Sequence, residues 1–190
     1  MGIGSVADFE VAVALFFGVF TAPTAVTFAT LVRGWVQCLG RPTVRRLLAA
    51  VEEVTKSPST YARFFRCARW DLGELWRVLV TEMLVPWFAP AGRPLFALDD
   101  TTCTKFGKRV AFAALFRDAV RSTGGKPVFH RAHCWVVMSL QVRLSLWPRV
   151  ISFPVLARLY RKKADCDADH PFRTRQQLGL EMIREIASWL

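Results

Sequence analysis

Acidic residues are scarce in this chain. Its 190 residues hold 15 Asp and Glu against 26 Lys and Arg, a formal net charge of +11 with a pI near 10.2. A surface so short of negative charge favours a polyanionic partner, either nucleic acid or an anionic membrane. Paired cysteines are lacking too. The five present, Cys38, Cys67, Cys103, Cys134 and Cys166, are odd in number, widely spaced and free of any Cys-x-x-Cys. That argues against a disulfide framework and for reduced thiols in the cytoplasm. Zinc fares no better: Cys103, His133, Cys134, Cys166 and His170 follow no usual zinc spacing, and the adjacent His133 and Cys134 would point apart on a strand. Disorder is excluded by a hydrophobic content of 53% with 13% aromatics. The length suits one domain or one and a half.

Charge of either sign is missing from Val11 to Val32, a run of 22 residues long enough to span a bilayer. Pro23 near its middle, threonines at 21, 24, 27 and 30, and Asp8 and Glu10 ahead of it read poorly as a membrane or signal segment. Two short buried helices broken at Ala22-Pro23 account for the same residues, with Pro23 in a first helical turn and Thr21 as a cap. Anchoring through residues 11–32 is the alternative, and the soluble form is favoured.

From Arg41 the pattern is helical and amphipathic. Val44, Leu47, Leu48, Val51 and Val54 share one face, with Thr43 placed to cap. Lys56-Ser57-Pro58-Ser59 breaks it, and a second helix carries Tyr61, Phe64, Phe65 and Ala68 with Arg63, Arg66 and Arg69 between them. Asp71 and Glu74 open a third helix in a capping-box arrangement. That helix runs through Leu72, Leu75, Trp76, Leu79, Val80 and Met83 and is expected to stop at Pro86. Three such helices can be a helix-turn-helix variant on DNA or a plain bundle with a solvated basic face. Pro86, Pro90, Gly92 and Pro94 then mark a boundary. The expected division is a helical amino-terminal region, 1–92, and a second region, 93–190.

Leu95 to Leu98 reads as a short, fully buried strand. It ends in Asp99 and Asp100, followed by Thr101 and Thr102. A strand delivering an acid at its end can fix a metal ligand, and only one of two successive residues can face a given site. The same letters also suit a cap or turn. Acids then nearly vanish. Between Thr104 and Lys163 there are thirteen Lys or Arg and one acid, Asp118. A tract so one-sided beside an acid fits a surface for phosphate backbones near a metal site. The candidate DNA contacts are Lys105, Lys108, Arg109, Lys126, Arg131, Arg158, Arg161, Lys162 and Lys163. Two strands are expected, over His133–Leu144 and from Val150 to Leu156, joined near Leu144 to Pro148. Thr174 with Gln177 makes a capping box for a last helix carrying Leu178, Met182, Ile183, Ile186 and Leu190. The expected class is α+β: helices, then three strands and a helix.

Taken in order, Leu98-Asp99-Asp100-Thr101-Thr102, Lys105-Phe106-Gly107-Lys108, His133-Cys134-Trp135-Val136, Phe153-Pro154 with Arg158-Leu159-Tyr160, and Phe172-Arg173-Thr174-Arg175 resemble an insertion-sequence transposase of the DDE superfamily. The resemblance implies a ribonuclease H-like core whose first strand bears the first catalytic acid. The acid directly before threonine fills that role in the family, which assigns it to Asp100, with Asp99 in reserve. It also implies magnesium bound at Asp100, DNA element ends as partner, a homodimer or pairing with a full-length transposase, and a cytoplasmic, nucleoid-associated place. The family needs two further acids, on a later strand and a later helix. Asp165, Asp167 and Asp169 precede the last helix and Glu181 and Glu185 lie on it, so none matches. The resemblance therefore implies an amino-terminal piece of a transposase, inactive alone, or a non-catalytic DNA-binding regulator.

Overall fold

The structure, a computed structural model, describes residues 6–89, 92–107, 109–144 and 147–190. Lys108 thus lies outside the described residues. The chain divides into two compact units, Met1–Trp87 and Phe88–Leu190.

The first unit is helical. Helices α1 (Val6–Ala14) and α2 (Ala22–Gln37) flank a single 3-10 turn at Phe17–Val19. The break falls at Ala22-Pro23 because proline, which has no N–H to give, is tolerated in the first turn of α2. Thr21 is the residue at the cap, yet its hydroxyl bonds Thr24 Oγ1 at 2.8 Å and no backbone N–H. Further along α2, the buried hydroxyls of Thr27 and Thr30 each donate to the carbonyl four residues back, Pro23 and Val26, at 3.0 Å. Those bonds are what let threonine enter an apolar helix interior. Among the described residues no helix is long and apolar enough to cross a membrane.

Helices α3 (Val44–Ala49), α4 (Pro58–Cys67) and α5 (Leu72–Val78) follow. Thr43 and Asp71 cap α3 and α5 as expected, accepting from Arg46 N and Glu74 N. Helix α3 ends at Ala49, short of the expected Val54. Glu52 and Glu53 would bring two negative charges to its carboxyl end, where the helix dipole opposes them. Nor does Pro86 stop the chain's helical course. A π-helical turn, Leu79–Leu84, precedes α6 (Val85–Phe88), and Val85 N–H bonds Val80 O, five residues back. The wider turn leaves Pro86 in a first turn where its missing N–H is harmless. The unit's core is aromatic: Tyr61 is fully buried, Phe20 stacks on Phe28 at 4.6 Å, and Phe64 stacks on Trp70 at 5.6 Å.

Among its described residues the second unit is a sheet of four strands, one more than expected, with one long helix. The strands are β1 (Leu95–Thr104), β2 (Ala114–Arg117), β3 (Phe129–Arg143) and β4 (Val150–Tyr160), all antiparallel to β3. The unforeseen β2 has four residues at the end of the apolar run 110–116, and pairing with the first residues of β3 makes it a strand. Ala132 pairs with both Thr104 and Ala114, so β1 and β2 flank β3 on opposite edges. β3 alternates strictly, with Ala132, Cys134, Val136, Met138, Leu140 and Val142 all buried on one face. The register of β4 shifts between Met138 and Ser139, and Pro154 sits beside that bulge.

Helix α7 (Arg175–Trp189) covers the buried face through Leu178, Met182 and Ile186. Its capping box is complete: Thr174 Oγ1 accepts from Gln177 N, and Gln177 Oε1 accepts from Thr174 N. Gly179 lets α7 approach β1 closely, since a Cβ there would lie 2.7 Å from Leu98 Cδ2. β1 departs from expectation in its burial. Leu95 is 67% exposed and Leu98 42%. Among the described residues β1 pairs only with β3, so its flank is open and the run is an edge strand, not a fully buried one.

Candidate functional site

Strand register sets the site. Asp100 lies opposite Val136, and Val136 opposite Arg158; in the next row stand Thr102, Cys134 and Tyr160. These rows belong to the face that α7 covers. Asp99 is one residue away on β1 and therefore points to the other face. Its Oδ1 accepts from the backbone N–H of Asp100 at 2.8 Å. The two candidate acids are thus not brought together as joint ligands of one site.

Asp100 sits where the amino end of α7 meets β1, in a shallow cavity of about 230 Å³ lined by Leu98, Asp99, Asp100, Val136, Arg175 and Gln176. Arg175, the first residue of α7, donates from its guanidinium to Asp100 Oδ2 at 2.8 Å. Both side chains are about 40% exposed. The fully buried Cys134 places its Sγ 3.8 Å from the same oxygen. Burial pushes the Cys134 thiol up, Arg175 opposes that shift, and Asp100 adds to it. The thiol therefore stays protonated and serves as a weak donor.

A second polar group lies further along the same face. His130 Nε2 is 3.1 Å from Thr102 Oγ1, and its buried Nδ1 lies 3.6 Å from Asp118 Oδ2. Asp118 Oδ1 in turn accepts from the backbone N–H groups of Val120 and Arg121. The Arg121 N–H holds the Asp118 carboxyl below its usual range, with the Val120 N–H, His130 and the Arg121 charge adding to the effect.

The candidate DNA contacts separate into two kinds. Arg109, Lys126 and Lys163 are exposed, and their head groups meet no described partner. Lys105 is half-buried. Others are engaged within the fold. Arg131 donates to the carbonyls of Gly107, Val110 and Ala113 at 3.0, 3.4 and 3.4 Å, stitching the loop after β1. Arg158 pairs with Glu185 of α7. Arg161 stacks on Phe112 at 4.0 Å, a residue held at a left-handed φ of 58°. Lys162 donates to Leu115 O at 2.8 Å and lies over Phe116.

Arg175, Thr102, His130 and Asp118 received no role from the sequence. The capping box that fixes the start of α7 was visible, and it is what sets Arg175 beside Asp100. Nothing in the residue order reveals the His130 contacts, because the partners lie on three separate segments. Among the described residues no group of three or more His, Cys, Asp or Glu side chains could hold a metal ion.

A family model described as DDE superfamily endonuclease matches residues 15–190. No curated protein and no solved structure matches the chain.

Proposed function

The chain belongs to the DDE superfamily endonucleases, and from that premise we propose that it is the DNA-holding portion of a transposase. In this reading residues 1–92 are a helical region that contacts DNA through its arginines, and 93–190 are part of a ribonuclease H-like catalytic core. Asp100 is the first catalytic acid. Asp99 is set aside because its side chain leaves the face on which Arg158 and Arg175 lie. The observation that carries the reading is the placement of Asp100: a half-exposed carboxylate at the open end of the helix-covered face, reached by arginine, in a chain of this family.

Nucleases of this superfamily generally use divalent metal ions, and magnesium is the ion implied here. The residues present do not fit it by themselves. Magnesium takes several oxygen ligands in a near-octahedral shell, whereas the cavity at Asp100 offers, apart from Asp99 on the other face of the strand, one carboxylate with one oxygen already bonded to Arg175. A full shell needs further oxygen ligands, and among the described residues no group of three or more such side chains could supply them. That also favours the companion role of a DNA-binding partner that pairs with a complete transposase and does no chemistry alone.

What these residues supply is grip and position. Arg109, Lys126 and Lys163 are free to meet phosphates, with Lys105 close behind; Arg131, Arg158, Arg161 and Lys162 shape the surface from within it. Pairing with β3 along all ten residues of β1 fixes the place of Asp100 in the sheet. The test is a DNA-binding series across salt concentrations. Each phosphate contact should contribute about −0.9 to the slope of log K against log salt. Replacing Arg109, Lys126 and Lys163 together by glutamine should flatten the slope by about 2.7. Binding that ignores salt would refute the proposal.

A further inference from the structure

Asp100 carries an arginine where the family places a cation, and that disagreement is informative. The Arg175 guanidinium lies 2.8 Å from Asp100 Oδ2 and 5.2 Å from the centre of the Tyr160 ring, bridging β1 and β4 over the sheet. Its backbone is fixed by the Thr174–Gln177 capping box, while its side chain is long and 41% exposed. Neighbouring charges are already matched. Glu181 holds Arg173 at 2.6 Å, and Glu185 holds Arg158. Asp100 is therefore the carboxylate left to Arg175 on this face, and an ion pair so exposed binds weakly. A phosphate offers a guanidinium two parallel bonds, and binding DNA also releases condensed counterions.

We infer that Arg175 is a ligand for a DNA backbone phosphate, held in reserve by Asp100. Without DNA it occupies Asp100 Oδ2 and keeps cations from that oxygen. When DNA enters, Arg175 passes to a phosphate and leaves the carboxylate bare. Tyr160 supports the guanidinium in both positions, since attraction to a ring face tolerates a range of placements. The inference rests on the reading that this face binds DNA.

The experiment measures duplex-DNA affinity across a salt series for the full chain, Arg175→Gln and Asp100→Asn, with a thermal melt of each. Arg175→Gln should bind more weakly, with a slope flatter by about 0.9, one phosphate fewer. Asp100→Asn should bind about two- to fivefold more tightly, because no ion pair has to break, and its slope should equal that of the wild type. A wild-type slope in Arg175→Gln would overturn the inference. So would an Asp100→Asn slope steeper by about 0.9, which would mean that Arg175 reaches phosphate only after Asp100 is removed. If Arg175→Gln fails to fold, Asp100→Asn decides: an affinity no tighter than that of the wild type, or a slope steeper by about 0.9, overturns the inference. Failure of the wild type to bind DNA in a salt-dependent way would sink the DNA reading itself, and is told apart by that control.

Discussion

If Asp100 is kept for function, replacing it should barely disturb the fold. Asp100→Asn keeps the shape of the side chain and an oxygen that can accept from Arg175. What is lost is the charge of one ion pair at 2.8 Å whose partners are 40% and 41% exposed. Pairs of that exposure contribute about 0–1 kcal/mol. Relief of repulsion from the adjacent Asp99 offsets part of that. The expected change in stability is therefore within about 1 kcal/mol. Met182→Ala provides the contrast. Met182 is fully buried in α7, and truncating such a residue costs about 2–5 kcal/mol. Urea unfolding of both variants should be followed by a probe within 88–190, because the two units need not unfold together. A loss of more than about 2 kcal/mol in Asp100→Asn, approaching that of Met182→Ala, would make Asp100 a strut of the fold and refute the reasoning.

Other expectations concern parts of the chain away from Asp100. A Cβ at Gly34 would stand 2.4 Å from Leu47 O and 2.8 Å from Leu47 C. Gly34→Ala should therefore lose about 2 kcal/mol despite alanine's better helix propensity, and an unchanged or higher melting midpoint would count against the close approach of α2 to α3. Arg33 bonds both oxygens of Glu10, at 2.7 and 2.6 Å, and holds its carboxyl below the usual 4.5. A lowered folded-state pKa stabilises above the unfolded value and is lost as the pH falls through the folded one. Glu10→Gln should thus be less stable than wild type at neutral pH, with the gap closing as the pH drops below 4.5; a gap independent of pH would contradict this. Arg131→Ala should open the loop after β1 to proteolysis between residues 105 and 113, whereas Lys126→Gln should leave stability within about 0.5 kcal/mol. Equal protease sensitivity in the two variants would place Arg131 outside the loop's support.

What could be read from the sequence was local. The Thr174–Gln177 box, the Asp71 cap and the break at Pro23 each depend on residues within a turn of one another. The β3 and β4 runs announced themselves through β-branched and aromatic residues. What stayed hidden depends on distance along the chain. Arg175 meets Asp100 across 75 positions, and His130 meets Thr102 across 28. Strand β2 takes its first three residues from the end of the apolar run 110–116, and the edge that β3 offers sets which of them pair. The exposure of Leu95 and Leu98 reflects an open flank, whereas an apolar run alone reads as buried. Pro86 misled for a related reason, since a proline that ends a regular α-helix can be carried when the preceding turn widens.

The central claim is that this chain carries one acid of a metal-dependent nuclease and grips DNA, and that the described residues form no complete metal site. Supercoiled plasmid incubated with the purified chain and magnesium tests it most directly. The expected result is DNA that is bound and left uncut by both wild type and Asp100→Asn. Magnesium-dependent nicking by the wild type that disappears in Asp100→Asn would contradict it.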